Sequence, residues 1–485
     1  MTGSEFLAVL PLIILVGWAC VLLLLDLFIE DKKRTASLAA LGMGAAISAT
    51  LFQADTQRTA FGGMIVQDNF AVFLTLLVLA SGLVAILISY DYLKRMVIER
   101  GEYYTLLLFA IAGVVLMTLA ADLIVVFLAL ELLSIPLYIL AGFARPRAES
   151  EESALKYFLL GAFSSGFIVY GIALVYGATG STGLTEILAS FTSGATNQAL
   201  LVPGAALILV GLGFKVGAVP FHMWTPDVYQ GAPSAVTAFM AVGAKVGGFA
   251  ALLRIFVTAF PKQFELVAEM TVVLWGVAAA TMILGNLLAI AQKSIKRLLA
   301  YSSISHAGYI LMAVVPYAAK GLAADTVGSA LFYLLAFAVT SFGAWAVVMA
   351  LEQSAEAGDG TRRGLLIDDY AGLARKNPAL ALAMTVFMLS FTGLPPTLGF
   401  AGKIYLFRTA LEGGMVWLAV IGVLTSLVSA YYYLRVVIVM YMVDGEPVVH
   451  GDRSLRWTAI ASAGATVLLS IFAAPLFAWA AQSGF

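Results

Sequence analysis

Glu131, Lys215, Lys245 and Lys403 are the side chains whose type and setting in this sequence could do chemistry. Each interrupts an apolar run: VVFLALELLSIPLYIL, GLGFKVGAVPFHMW, APSAVTAFMAVGAKVGGFAALLRIF and GLPPTLGFAGKIYLFRTALEGG. An isolated charge at the centre of a bilayer costs at least about 2.5–3.5 kcal/mol on insertion scales. Lysine avoids that cost only within a turn or two of the interface. Lys245 stands about twelve residues from each end of its run, about 18 Å at the helical rise, so its stem does not reach water. A buried lysine holds its proton according to how near a carboxylate lies. A Glu131 that moves toward or away from Lys215 would act as a switch. The four residues are therefore expected to form an electrostatically gated proton relay from Glu131 through Lys215 and Lys245 to Lys403. His222 and His306 are candidate extensions, because imidazole titrates near neutral pH; each could equally be an ordinary hydrogen-bonded side chain. Arg254, Arg408 and Arg435 are expected to snorkel or pair near helix ends, and His450 belongs to a loop.

The elements that hold these residues are membrane helices. Of 485 residues, 62% are hydrophobic and 11% charged, an integral membrane composition. The net charge of -1 points to no nucleic-acid partner, and the single cysteine, Cys20, excludes a disulfide framework or a cysteine-built metal site. Walker and dinucleotide fingerprints, clustered metal ligands and a nucleophile–base pair are lacking. The opening stretch has no basic leader and reads as a first membrane helix rather than a cleaved signal. Apolar runs long enough to cross a bilayer occur near 5–29, 35–53, 68–92, 103–120, 122–142, 153–177, 199–222, 233–258, 266–291, 298–318, 325–351, 378–409, 414–440 and 457–481. The expected fold is an all-α polytopic membrane protein of about fourteen helices.

Basic residues support that register. Lys32, Lys33, Arg34, Lys94, Arg95, Arg100, Arg145, Arg147, Lys293, Lys296, Arg297, Arg362, Arg363, Arg375, Lys376, Arg453 and Arg456 fall in loops on one side, and Arg58, Lys262 and Lys320 on the other. The positive-inside rule then places both termini outside. The longest inside loop, 352–377, is polar and expected to lie along the interface.

Proline and glycine should break two helices. Gly217 with Pro220, and Pro395 and Pro396 with Gly399 and Gly402, free backbone groups that need protein or water partners. Each break carries one lysine, in the seventh and twelfth helices. This predicts an inverted repeat of two five-helix units, 103–258 (helices four to eight) and 266–440 (helices nine to thirteen), flanked by 1–102 and 441–485.

The segments ALELLSIPLYIL, ESALKYFLLGAFSSG, GLGFKVGAVPFHMWTPDVYQGAPSAV, IKRLLAYSSISHAGYIL and GLPPTLGFAGKIYLF together resemble the antiporter-like membrane subunits of proton-pumping NADH:quinone oxidoreductase, respiratory complex I, nearest to their N-type branch. The resemblance covers nearly the whole chain. It implies that Glu131 and Lys215 are the members of a charge pair, Lys245 the central relay lysine and Lys403 the group connected to the outside. It further implies a translocase subunit in a bacterial inner membrane, with other membrane-arm subunits as partners. NADH, FMN, iron–sulfur clusters and quinone would then bind in those partners, and no cofactor in this chain. A subunit of a multisubunit cation/proton antiporter or a membrane-bound hydrogenase shares the motifs and is the alternative. A stand-alone solute transporter would need a substrate-sized polar midplane site, and a purely structural subunit would tolerate loss of Lys215 or Lys245.

Overall fold

The computed structural model describes residues 2–192, 196–259, 265–320, 323–353 and 364–484. Helices dominate them, as lipid demands of a backbone that must satisfy its own hydrogen bonds. The first apolar run divides at Val9 into α1 (Gly3–Ala8) and α2 (Leu10–Asp26). Then comes α3 (Lys32–Leu51), capped by Asp31. A short antiparallel hairpin, β1 (Arg58–Ala60) and β2 (Ile65–Gln67), which the helical pattern did not reveal, leads into α4 (Asn69–Arg95).

α5 (Glu102–Leu119) packs on α6 (Leu123–Ala141), whose N-terminus is capped by the Asp122 carboxylate. α7 (Ala148–Thr179) is followed by the short α8 (Leu184–Thr192), then by α9 (Gln198–Val216) and α10 (Trp224–Gly231). Next, α11 (Ser234–Phe239), a π-helical turn at Met240–Ala244 and α12 (Lys245–Ala259) make one continuous helix, buried along its length except at Thr258. π-turns inside α-helices are frequent at functional sites, and this one ends at Lys245.

In the second half, α13 (Glu265–Ile290) packs on α14 (Ile295–Lys320), with α15 (Ala323–Leu351) beyond. A 3-10 turn at Ile367–Tyr370 and α16 (Leu373–Lys376) precede α17 (Pro378–Thr392), α18 (Leu398–Glu412) and α19 (Val416–Met442). The last run splits at Phe472 into α20 (Arg453–Ile471) and α21 (Ala473–Gln482).

Among the described residues, eleven helices are long and apolar enough to span a membrane. The other three expected runs are helical but differ in form: 5–29 is divided, 35–53 is helix α3 with a basic start, and 378–409 is the pair α17 and α18. Residues 364–377 do not lie free along an interface. Ile295 N donates to Leu365 O and Ile367 N to Lys293 O, while Ile367, Tyr370 and Leu373 are buried. Lys262, Arg362 and Arg363 lie outside the described residues, as does the side chain of Lys320.

Candidate functional site

The two helix breaks have the same local geometry. At the end of α9, Gly217 is left-handed (φ 75°); its N–H donates to Phe214 O at 3.1 Å, and Ala218 N to Gly213 O at 2.8 Å. At the end of α17, Gly393 is left-handed (φ 84°); its N–H donates to Ser390 O at 3.0 Å, and Leu394 N to Leu389 O at 3.0 Å. Both are glycine-terminated caps with the 6→1 and 5→2 bonding of a Schellman motif. Glycine fits because a Cβ at positive φ is strained. After each break a new helix starts, α18 with Thr397 Oγ1 accepting from Phe400 N at 3.3 Å.

These caps leave the carbonyls of Val216 and Thr392 without helical partners, and each receives a lysine. Lys245 Nζ donates to Val216 O at 2.9 Å and to Ser303 O at 2.7 Å. Lys403 Nζ donates to Thr392 O at 2.8 Å and to Ser426 Oγ. A helix C-terminus carries partial negative charge, so a cation there is favoured. Lys215, Lys245 and Lys403 are all buried, at 2%, 3% and 3% exposure; their charges are held by protein groups and not by the lipid interface.

Glu131 on α6 and Lys215 on α9 are each hydrogen-bonded by hydroxyls. Ser165 Oγ, on α7, donates to Glu131 Oε1 at 2.5 Å. Lys215 Nζ donates to Ser134 Oγ at 2.8 Å and to Tyr157 OH at 3.3 Å. Ser134 lies three residues from Glu131, on the same face of α6. No direct ion pair joins Glu131 and Lys215 among the described residues; Ser134 Oγ, which accepts from Lys215, itself donates to Leu130 O. Tyr157 is in turn stacked on Trp224, with ring centroids 4.6 Å apart, and Trp224 Nε1 donates to Phe214 O at 2.8 Å. This packing ties both halves of the broken helix to Lys215.

Between Lys245 and Lys403 runs the polar face of α14. Ser303 supplies the carbonyl at Lys245; its neighbour Ser302 bonds Tyr433 OH. Tyr433 OH reaches His306 Nε2 at 3.2 Å, and His306 Nδ1 meets Tyr333 OH at 2.7 Å. One turn further, the Tyr309 ring lies 4.6 Å beneath Lys403 Nζ. His306 stands about three turns inside α14, which begins at Ile295. His222 is different: its backbone O accepts from Thr225 N, and its half-buried ring makes no hydrogen bond to Glu131, Lys215, Lys245 or Lys403 among the described residues.

Other charges hold the scaffold. Arg254 is 4% exposed and pairs with Asp68 at 2.5 Å, while Arg408 pairs with Glu412 on one exposed helix face. Arg435 donates to the carbonyls of Ile290 and Gln292. Lys296 corrects the expectation of a loop charge: it is 0% exposed in the first turn of α14 and donates to Ala232 O at 2.7 Å. The α10–α11 junction packs over it, which a linear sequence does not reveal. Glu352, assigned to the loop, is also fully buried and accepts from Ser234 Oγ at 2.5 Å and Tyr92 OH at 3.1 Å. Ser134, lying one turn from Glu131 in a helical run, and Tyr157 and Ser165, within ESALKYFLLGAFSSG, are missed partners with a signal in the sequence. Val216 and Thr392 act through backbone carbonyls, which leave none.

No group of three or more His, Cys, Asp or Glu side chains that could hold a metal occurs among the described residues. A family model described as NADH:quinone oxidoreductase/Mrp antiporter, TM, matches residues 120–429, which include Glu131, Lys215, Lys245 and Lys403. The chain belongs to this family.

Members of the NADH:quinone oxidoreductase/Mrp antiporter family resemble it over nearly its full length. It is 47% identical over 483 residues to NADH-quinone oxidoreductase subunit N of Chloroflexus aggregans, covering 98% of this chain and 96% of that one. A chain of respiratory complex I from Thermus thermophilus is 35% identical and superimposes with a TM-score of 0.81, over 96% of this chain and 98% of that one. A chain of the Mrp complex from a Dietzia species shares the fold, with a TM-score of 0.84 at 20% identity over 100% and 97% of the two chains.

Proposed function

We propose that this chain moves protons across a bacterial inner membrane as a membrane-arm subunit of an NADH:quinone oxidoreductase. Glu131, Lys215, Lys245 and Lys403 carry the protons in that order or its reverse, and His306 lies on the segment between the last two. His222 is a peripheral member at most. The observation that carries this reading is the matched pair of helix breaks, each offering an orphan carbonyl to a buried lysine. An ammonium so placed can release its proton without breaking the fold, since one donor bond is exchanged rather than an ion pair broken. The relay binds nothing but protons and water.

The two units 103–258 and 266–440 each contain one such break, which supports reading them as repeats. The basic loops favour both termini on the periplasmic side. In this reading NADH oxidation and quinone reduction, with their flavin and iron–sulfur clusters, belong to partner subunits, and redox energy arrives through neighbouring antiporter-like chains. The fold shared with an Mrp chain keeps a cation/proton antiporter assembly as the second reading.

The test is Lys215→Ala in the native assembly, resolved by size and stained for NADH dehydrogenase activity. A large NADH-oxidising band in which the variant assembles but translocates few or no protons supports both parts. Full pumping by the assembled variant overturns the relay, and a band without NADH oxidation moves the chain to an antiporter assembly.

A further inference from the structure

Thr225, the second residue of α10, was not among the residues the sequence singled out. It is 1% exposed, and its Oγ1 makes no hydrogen bond among the described residues. A Cβ built on Gly217 would lie 3.2 Å from Thr225 Oγ1 and 3.9 Å from Lys245 Nζ. Hydroxyl and amine therefore approach the same point beside the Gly217 Cα, with Ile304 Cγ1 at 3.8 Å as the third neighbour. A lysine ammonium has three N–H donors. On Lys245 two of them are engaged, by Val216 O and Ser303 O. The threonine hydroxyl can accept and donate at once. Keeping a buried hydroxyl unbonded is destabilising, and an apolar residue of the same shape is neutral or better. Valine has that shape. A polar pocket with converging donors and acceptors is where a buried water sits.

We propose that Thr225 holds a water molecule against Lys245 and that protons enter or leave Lys245 through that water, which makes Thr225 a further proton-handling residue. In the transfer, one N–H bond of protonated Lys245 breaks and an O–H bond forms on the water. The water passes a different proton toward Lys215 in its neutral form, so Lys245 ends neutral, Lys215 ends protonated, and the water and Thr225 are unchanged. The stem of Lys215 packs on the helix that carries Lys245: a Cβ on Gly248, three residues after Lys245, would lie 3.5 Å from Lys215 Cβ and Cγ. The proposal rests on the relay reading of Lys245.

The experiment compares Thr225→Val, Thr225→Ser and Lys245→Ala in the whole respiratory complex reconstituted into vesicles, reading NADH oxidation, acidification and melting temperature. Thr225→Val is expected to assemble with an unchanged or higher melting temperature and to lose proton translocation several-fold. Thr225→Ser should restore it, and heavy water should slow the Ser variant more than the Val variant. Normal pumping by Thr225→Val beside a defective Lys245→Ala overturns the role of Thr225 and leaves the relay intact. Normal pumping by both overturns the relay as well. If the valine variant does not assemble, Thr225→Ala against Thr225→Ser makes the same comparison: loss confined to alanine supports the proposal, and equal pumping overturns it.

Discussion

Lys245 Nζ donates to the carbonyl of Val216, the residue that follows Lys215, at 2.9 Å. The two buried lysines are thus linked through one peptide unit at the end of α9. Lys403 repeats the contact on Thr392 at the end of α17. The first carbonyl is met by a lysine from a neighbouring helix, the second by a lysine from the far half of the same broken helix. In both, the glycine after the carbonyl sets its direction.

Gly217→Ala is expected to weaken this linkage. A left-handed alanine is disfavoured by about 1–2 kcal/mol. The added Cβ also enters the space bordered by Thr225 Oγ1 and Lys245 Nζ. The complex should assemble, melt lower and pump less per NADH oxidised. Proton translocation equal to the parent enzyme in a correctly assembled variant would refute the role assigned to the break.

Gly393→Ala should act on Lys403 more directly. Its Cβ would sit 2.6 Å from Lys403 Cδ, so the lysine stem must move and its contact with Thr392 O must lengthen. The variant is expected to resemble Lys403→Ala in vesicle acidification while NADH oxidation with uncoupler persists. A phenotype like Gly217→Ala in stability but without a pumping defect would separate Lys403 from the relay.

Arg254 belongs to assembly. Removing one partner of a buried ion pair is destabilising by about 3–5 kcal/mol. Arg254→Met, which leaves the Asp68 carboxylate facing apolar groups, should lower the yield of assembled protein, and adding Asp68→Asn should recover part of it. Pumping per assembled complex should be unchanged; a selective pumping loss at normal yield would contradict this.

His450 predicts an acid-sensitive loop. Burial, with the Arg95 guanidinium adding to it, pushes His450 below its ordinary value of about 6.5, while Asp452 opposes the shift. The unfolded chain therefore takes up the proton first. Stability from this group is complete above about 6.5 and is lost as pH falls below it. Protection of residues 443–452 against hydrogen exchange, corrected for the intrinsic slowing of amide exchange at lower pH, should fall between about pH 7.5 and about pH 5.5, and His450→Gln should flatten the dependence. A protection profile indifferent to pH in the parent protein would rule the effect out.

The buried charges were legible from hydropathy alone. Glu131, Lys215, Lys245 and Lys403 stand out because lipid makes an unpaired charge expensive, so charges in apolar runs are few and meaningful. The helix breaks were legible for a similar reason: glycine and proline change what the backbone itself can do. Patterning by burial against lipid also located most helices to within a few residues, though 5–29 is divided and 378–409 is two helices. Other features required three dimensions. Lys296 and Glu352 sit beside polar loop residues in the chain yet are fully buried, because segments distant in sequence close over them. The acceptors of Lys245 and Lys403 are main-chain carbonyls, identical in every residue and so invisible to composition. Thr225 gains its place only because α10 folds back under the end of α9. Residue type, set against the solvent, determined which groups could carry a proton; tertiary packing decided which of them touch, since contacts depend on chain crossings that no local pattern encodes.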